Sequence, residues 1–249
     1  MANLRDYLFY EEPGVELYCG ETLILIAEAE PFDALITDPP YSSGGAFRGD
    51  RMGSTVSKYV QSSTFTPRPE FSGDNRDQRS YLAWCSLWMA AALHSAKPGA
   101  AMAVFSDWRQ LPVTTDAVQA GGWVWRGIGV WDKTEGTRPR LGGFRAQCEF
   151  TVWATSGPLD SQANPVALPG VIRHPTVGDK QHIAEKPLSV MHWLVRLAPE
   201  GGVVLDPFAG SGTTLISAKS LGRRAIGFES DAQSCELAVK RLRQEVLAL

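Results

Sequence analysis

Four consecutive residues, Asp38-Pro39-Pro40-Tyr41, close an apolar run, Ala34-Leu35-Ile36-Thr37. Their types suit the handling of an exocyclic amino group on an aromatic ring. Such an amine attacks only when its nitrogen lone pair leaves conjugation, and acceptors aimed at the amino protons favour the pyramidal nitrogen that forms. Asp38 supplies a carboxylate. Pro39 has no N–H, and the rigid Pro39-Pro40 pair fixes the backbone so that the Pro39 carbonyl serves as a second acceptor. Tyr41 offers a flat face on which a ring can stack. Taken alone, the string also reads as a turn punctuated by proline.

A second group lies far downstream, where Val203-Val204-Leu205 opens into Asp206-Pro207-Phe208-Ala209-Gly210-Ser211-Gly212-Thr213-Thr214. Gly210 and Gly212 remove side chains where a nucleoside approaches the backbone, and Thr213 and Thr214 bring hydroxyls to a helix start. No Gly-Lys-Ser/Thr follows, so this is not a phosphate loop. Residue 209 is Ala, so it is not a nucleophile elbow either. The next apolar run, residues 224–228, ends in Glu229, about 20 positions beyond the glycines, where an acid typically holds ribose hydroxyls. The plainer alternative for Glu229 is an acid favoured by the dipole of the helix that follows.

These groups need elements to position them. Strand-like runs recur at residues 23–26 (weakly), 34–37, 101–105, 123–131, 149–154, 203–205 and 224–228, with helical periodicities at 79–96, 111–120, 186–198, 213–221 and 231–247. Alternation of this kind predicts an open, largely parallel sheet covered on both faces. Three segments interrupt it: residues 42–77, long and glycine-rich; 133–147, with Lys133, Arg138, Arg140 and Arg145 against the single acid Glu135; and 155–180, rich in proline and glycine. Loops of that length are usually functional or mobile, and the plainer alternative is ordinary solvated loops.

The chain has 249 residues and 44% hydrophobic residues, enough for a substantial core. No apolar run is long enough to span a bilayer, and no secretory signal is evident, so a cytoplasmic location and no membrane contact are expected. Four dispersed cysteines read as free thiols, and no metal site is expected. A net charge of -3 argues against nucleic acid as a partner unless positive charge is concentrated locally.

Together the two motifs resemble the signatures of DNA amino-methyltransferases that use S-adenosylmethionine (SAM). Their order, Asp38–Tyr41 first and the glycine loop last, resembles the permuted β-class. That resemblance implies a Rossmann-like methyltransferase fold: a mostly parallel seven-stranded sheet with one antiparallel strand, helices on both faces and loop-rich recognition insertions. It implies one domain, with a catalytic half at about residues 1–154, a short recognition region at about 155–180 and a SAM-binding half at about 181–249.

By the same resemblance Asp38, Pro39, Pro40 and Tyr41 are catalytic. The cofactor would be bound by Glu21, His182, Lys186, Ser189, Asp206, Pro207, Phe208, Gly210, Ser211, Gly212, Thr213, Thr214 and Glu229. Gly20-Glu21 resembles the family's Gly-Asp element, and His182 to Pro187 resembles the segment that precedes the cofactor loop. For Lys186, the alternative is an ordinary surface lysine. The partner would be double-stranded DNA with its target base flipped out, supported by Arg48, Arg51, Lys58, Arg68, Arg138, Arg140, Arg145 and Arg173, mostly on phosphates. The short recognition region leaves target reading to the loops, to a homodimer, or to a short target.

Absence of a Pro-Cys nucleophile argues against carbon-5 methylation of cytosine. Asp at position 38 favours adenine N6 over cytosine N4, whose enzymes more often carry Ser there. A non-catalytic binding module, or methylation of RNA or protein, are the competing readings.

Overall fold

The computed structural model describes residues 3–40, 76–137, 139, 141–159, 161–162, 164–176 and 186–246. A hairpin of β1 (Leu8–Glu12) and β2 (Val15–Cys19) leads to a short helix α1 (Thr22–Leu25) and then β3 (Phe32–Thr37). Helix α2 (Gln78–Ser95), β4 (Ala96–Ser106), α3 (Leu111–Ala120), β5 (Val124–Asp132), β6 (Cys148–Thr155) and β7 (Val171–Arg173) follow. The chain continues through α4 (Leu188–Val195), β8 (Val203–Asp206), α5 (Thr213–Ser220), β9 (Arg224–Glu229) and α6 (Ala232–Val246).

Among the described residues, nine strands form one sheet in the order β1-β2-β9-β8-β3-β4-β6-β5-β7. Its inner seven match the expected sheet, with β6 alone running against its neighbours β4 and β5. The expected count of seven is corrected to nine by an edge strand at each end: β1 antiparallel to β2, and β7 parallel to β5. The weak strand expected at residues 23–26 is helical instead. Leu25 and Ile26 are buried while Leu23 and Ile24 are exposed, and so brief an apolar run does not reveal its period.

Side chains of the pleated strands alternate between two cores. Ala101, Ala103 and Phe105 of β4 join the core beneath α4, α5 and α6, whereas Met102 and Val104 join the core beneath α2 and α3. Polar residues mark the helix starts. The Asp77 carboxylate accepts from the Ser80 amide at the start of α2, at 2.8 Å, and Asp231 accepts from the Ser234 amide and hydroxyl at the start of α6, at 2.9 and 2.7 Å.

Because β2, β9, β8, β3, β4 and β5 point the same way, their carboxyl ends meet at one sheet edge. Gly20-Glu21, Glu229, the glycine loop, Asp38-Pro39-Pro40, Asp107-Trp108 and the segment after Asp132 therefore share that edge, where ligands of open α/β sheets bind.

Candidate active site and cofactor pocket

The two motifs are joined directly. In β3, Thr37 Oγ1 donates to Asp206 Oδ1 at 2.6 Å, and the Phe208 amide donates to the same oxygen at 3.0 Å. Asp206 is only 2% exposed. Burial pushes its pKa up to about 6, against the opposing hydrogen bonds from Thr214, Thr37 and Phe208. It is thus a strut beneath the site rather than a group facing solvent. Thr22 Oγ1 donates to the Pro207 carbonyl at 2.5 Å, tying the turn after Glu21 to the same loop. Phe208 packs on Trp84 and Trp88 of α2, with ring centroids 5.2 and 5.3 Å apart. The Arg76 guanidinium lies 4.1 Å above Trp84.

The glycine loop is held from behind by α6. Gly212 sits at φ +79, and a Cβ there would fall 2.9 Å from the Ala238 Cβ, so conformation and contact both require glycine. Arg241 Nη1 donates to the Ser211 carbonyl and hydroxyl, each at 2.8 Å, and to Thr213 Oγ1 at 3.0 Å. From in front, Glu229 Oε2 accepts from the Gly210 amide at 2.9 Å and Oε1 from the Asp231 amide at 2.8 Å. Burial raises the Glu229 pKa above the ordinary glutamate value, and the backbone amides of Asp231, Gly210 and Ser230 oppose that rise.

These surroundings fit a nucleoside cofactor. At Gly210 (φ +51) a Cβ would meet nothing within 4 Å, so open space adjoins the backbone beside a carboxylate. The Glu229 oxygens keep acceptor capacity for a ribose hydroxyl beyond their backbone amide donors. Ser189, in the first turn of α4, carries a buried hydroxyl with no hydrogen-bond partner among the described residues. Glu21 is exposed at the start of α1.

Lys186 is no surface lysine. It is 8% exposed, and its Nζ lies 2.7 Å from Asp38 Oδ2 and 3.2 Å from Glu149 Oε2, 4.9 Å from the Phe105 ring centroid. Lys133 Nζ reaches the other Glu149 oxygen at 3.3 Å. Four alternating charges therefore run Lys133–Glu149–Lys186–Asp38. Burial alone would lower the Lys186 pKa, but the Asp38 and Glu149 carboxylates outweigh it and hold the ammonium well above the lysine range. Burial likewise works to raise Glu149, and the two lysines reverse it to a net lowering.

Of the expected site residues, Tyr41 and His182 fall outside the described residues, as do Arg48, Arg51, Lys58, Arg68, Arg138 and Arg140. Arg145 Nη1 donates to the carbonyls of Glu135 and Thr137 at 2.6 and 2.8 Å. Arg173 pairs with Glu135 at 2.5 Å and with Asp132 at 3.5 Å. Both arginines brace the 133–147 segment, leaving only part of each guanidinium for a phosphate. Thr22, Thr37, Glu149 and Arg241 escaped the sequence reading. A lone acid opening an apolar strand was the available signal for Glu149. Among the described residues, no cluster of His, Cys, Asp or Glu is arranged to hold a metal ion, and no helix is long and apolar enough to cross a membrane.

An inner strand order of this kind, with a glycine loop after one central strand and a ribose-range carboxylate after the next, defines the SAM-dependent methyltransferase class. Comparison with known proteins agrees. The M1.HpyAVI–SAM complex superposes with a TM-score of 0.66 at 22% identity, covering 92% of this chain and 98% of that one. The family described as DNA methylase, the N6/N4 methyltransferases, matches residues 150–240. YubD of Escherichia coli (strain K12), named as a methylase, is 30% identical over 198 residues, 79% of this chain and 75% of that protein. The type II methyltransferase M.ScaI of Streptomyces caespitosus is 26% identical over 100% of this chain and 89% of its own length. The chain belongs to the N6/N4 family of SAM-dependent DNA amino-methyltransferases.

Proposed function

We propose that the chain methylates the N6 amino group of adenine at a defined site in double-stranded DNA, as a single catalytic domain. The observation that carries this reading is the meeting of Asp38 and the glycine loop at one sheet edge through the Thr37–Asp206 hydrogen bond. SAM, when bound, supplies an electrophilic methyl group. Glu229 would hold the ribose, Gly210 would leave room for the nucleoside, and Ser189 and Glu21 would flank it.

Asp38 and the Pro39 carbonyl accept the two amino protons of the flipped base, so that the lone pair turns toward the methyl carbon. Bound SAM would supply the methyl group to that nitrogen, and the surplus amino proton would leave to solvent. Lys186 holds the Asp38 carboxylate in place from its far side, so that acceptor geometry exists before the base arrives. Tyr41 would stack on the base. The preference for adenine rests on Asp at position 38, because cytosine-N4 enzymes of the resembled family more often carry Ser there. Cytosine N4 is the second reading, with the same residues in the same roles.

An Asp38→Ala variant tests the assignment. Methyl transfer to unmethylated DNA should fall by at least roughly 100-fold, the loss typical of a missing transition-state partner. SAM affinity by calorimetry should change little. Near wild-type transfer by this variant would remove Asp38 from the mechanism.

A further inference from the structure

We infer that Phe144, seconded by Leu141, is a wedge that enters the DNA base stack when the target base turns out. The inference rests on the methyltransferase reading above. Leu141 is 98% exposed and Phe144 97% exposed, at the tip of the segment joining β5 to β6. An unpaired duplex position is the apolar surface available to such side chains, and proteins that unstack duplexes use Phe and Leu in this way.

The foot of the segment is clamped. The Lys133 amide donates to the Gln147 carbonyl at 2.8 Å, Gln147 Nε2 to Asp132 Oδ1 at 2.6 Å, and the Thr134 amide to the same oxygen at 2.8 Å. Thr134 sits at φ +68, a conformation that β-branched residues seldom adopt. Arg145, the neighbour of Phe144, is tied to the carbonyls of Glu135 and Thr137. A braced base with a bare apolar tip is the form that insertion requires.

Location and charge select the partner. Lys133 at the foot pairs with Glu149, Glu149 with Lys186, and Lys186 with Asp38, so the segment rises beside the carboxylate that receives the flipped base. It holds Lys133, Arg138, Arg140 and Arg145 against Glu135, a balance that draws phosphates and disfavours an apolar protein partner. Trp108, 57% exposed at the same sheet edge, is the weaker candidate because its ring already lies 5.4 Å from its neighbour's guanidinium, that of Arg109.

The test uses two duplexes containing the chain's own target sequence, mapped by sequencing the DNA it methylates. In one the target base is normally paired, and in the other it faces an abasic site. Phe144→Ala should slow single-turnover methylation of the paired duplex by roughly 10- to 100-fold, because unstacking is no longer compensated. On the abasic duplex it should run within about 3-fold of wild type, since little unstacking remains. Leu141→Ala should behave likewise but more weakly, and Phe144→Leu should retain most activity. Thermal unfolding and SAM affinity should not change. Equal slowing on both duplexes, or no slowing on either, would overturn the wedge. Wild type that methylates no DNA at the mapping step would overturn the methyltransferase reading, and the wedge with it.

Discussion

At Lys186 the deciding quantity is burial. A lysine only 8% exposed between two carboxylates leaves uncompensated charge behind when it is removed. Lys186→Met should therefore lower stability by about 3–5 kcal/mol and abolish methyl transfer, measured by denaturant unfolding and by activity. The pH dependence has a definite sign. Glu149 is held below its ordinary value of 4.5, so its contribution is present above that pH and is lost as the pH falls through the depressed value. Lys186 is held above 10.5, so its contribution is fully present below that pH and is lost only as the pH rises through the raised value. In Glu149→Gln the stability deficit relative to wild type should thus be full near neutrality and shrink below pH 4.5, read from melting temperatures across pH. Asp206 runs the other way. Its pKa is raised from 3.8 to about 6 by burial, so stability present below 3.8 is lost as pH rises through about 6. Asp206→Asn, which can keep accepting from Thr37 and Phe208, should remove that slope and melt higher than wild type at pH 7.5, by several degrees. A lower melting temperature at pH 7.5 would show that the buried carboxylate is needed in charged form.

Helix α6 is the element that turns a flexible glycine turn into the fixed cradle proposed for the cofactor. Its Arg241 takes three acceptors on Ser211 and Thr213, and its Ala238 fills the face of Gly212. Arg241→Met should weaken SAM binding by roughly 10-fold, about one charge-assisted hydrogen bond, with kcat at saturating SAM nearly unchanged. A fall in kcat with unchanged SAM affinity would mean that Arg241 acts elsewhere. The cradle also shows what the sequence could disclose. Asp38-Pro39-Pro40 and the glycine string were legible because contiguous residues carry both their backbone shape and their chemistry. Arg241 was not, since its partner Ser211 lies 30 residues away, and neither were Thr22 and Thr37, whose partners lie 185 and 169 residues away. Lys186 was singled out for the cofactor, yet its contact with Asp38 depends on a strand crossing that no local pattern encodes. Six of the inner seven strands followed from alternating runs; β2 (Val15–Cys19) did not. The edge strand β7, only three residues long, is too short to show a period.

On the scale of the whole molecule, a net charge of -3 must coexist with DNA binding. Positive charge is therefore expected to act locally, at the sheet edge around the 133–147 segment, rather than through the overall field. DNA affinity should fall with salt, the logarithmic slope approaching about −0.9 for each phosphate neutralised. Reversing the charge of Arg145 should flatten that slope as well as weaken binding, and an unchanged slope would place the phosphate contacts elsewhere. The most direct single measurement is product identity. Protein incubated with isotopically labelled SAM and unmethylated genomic DNA, digested to nucleosides and resolved by mass spectrometry, should yield labelled N6-methyladenine. Labelled N4-methylcytosine alone would contradict the step from Asp38 to adenine while keeping the site, and no labelled nucleoside at all would contradict amino methylation of DNA.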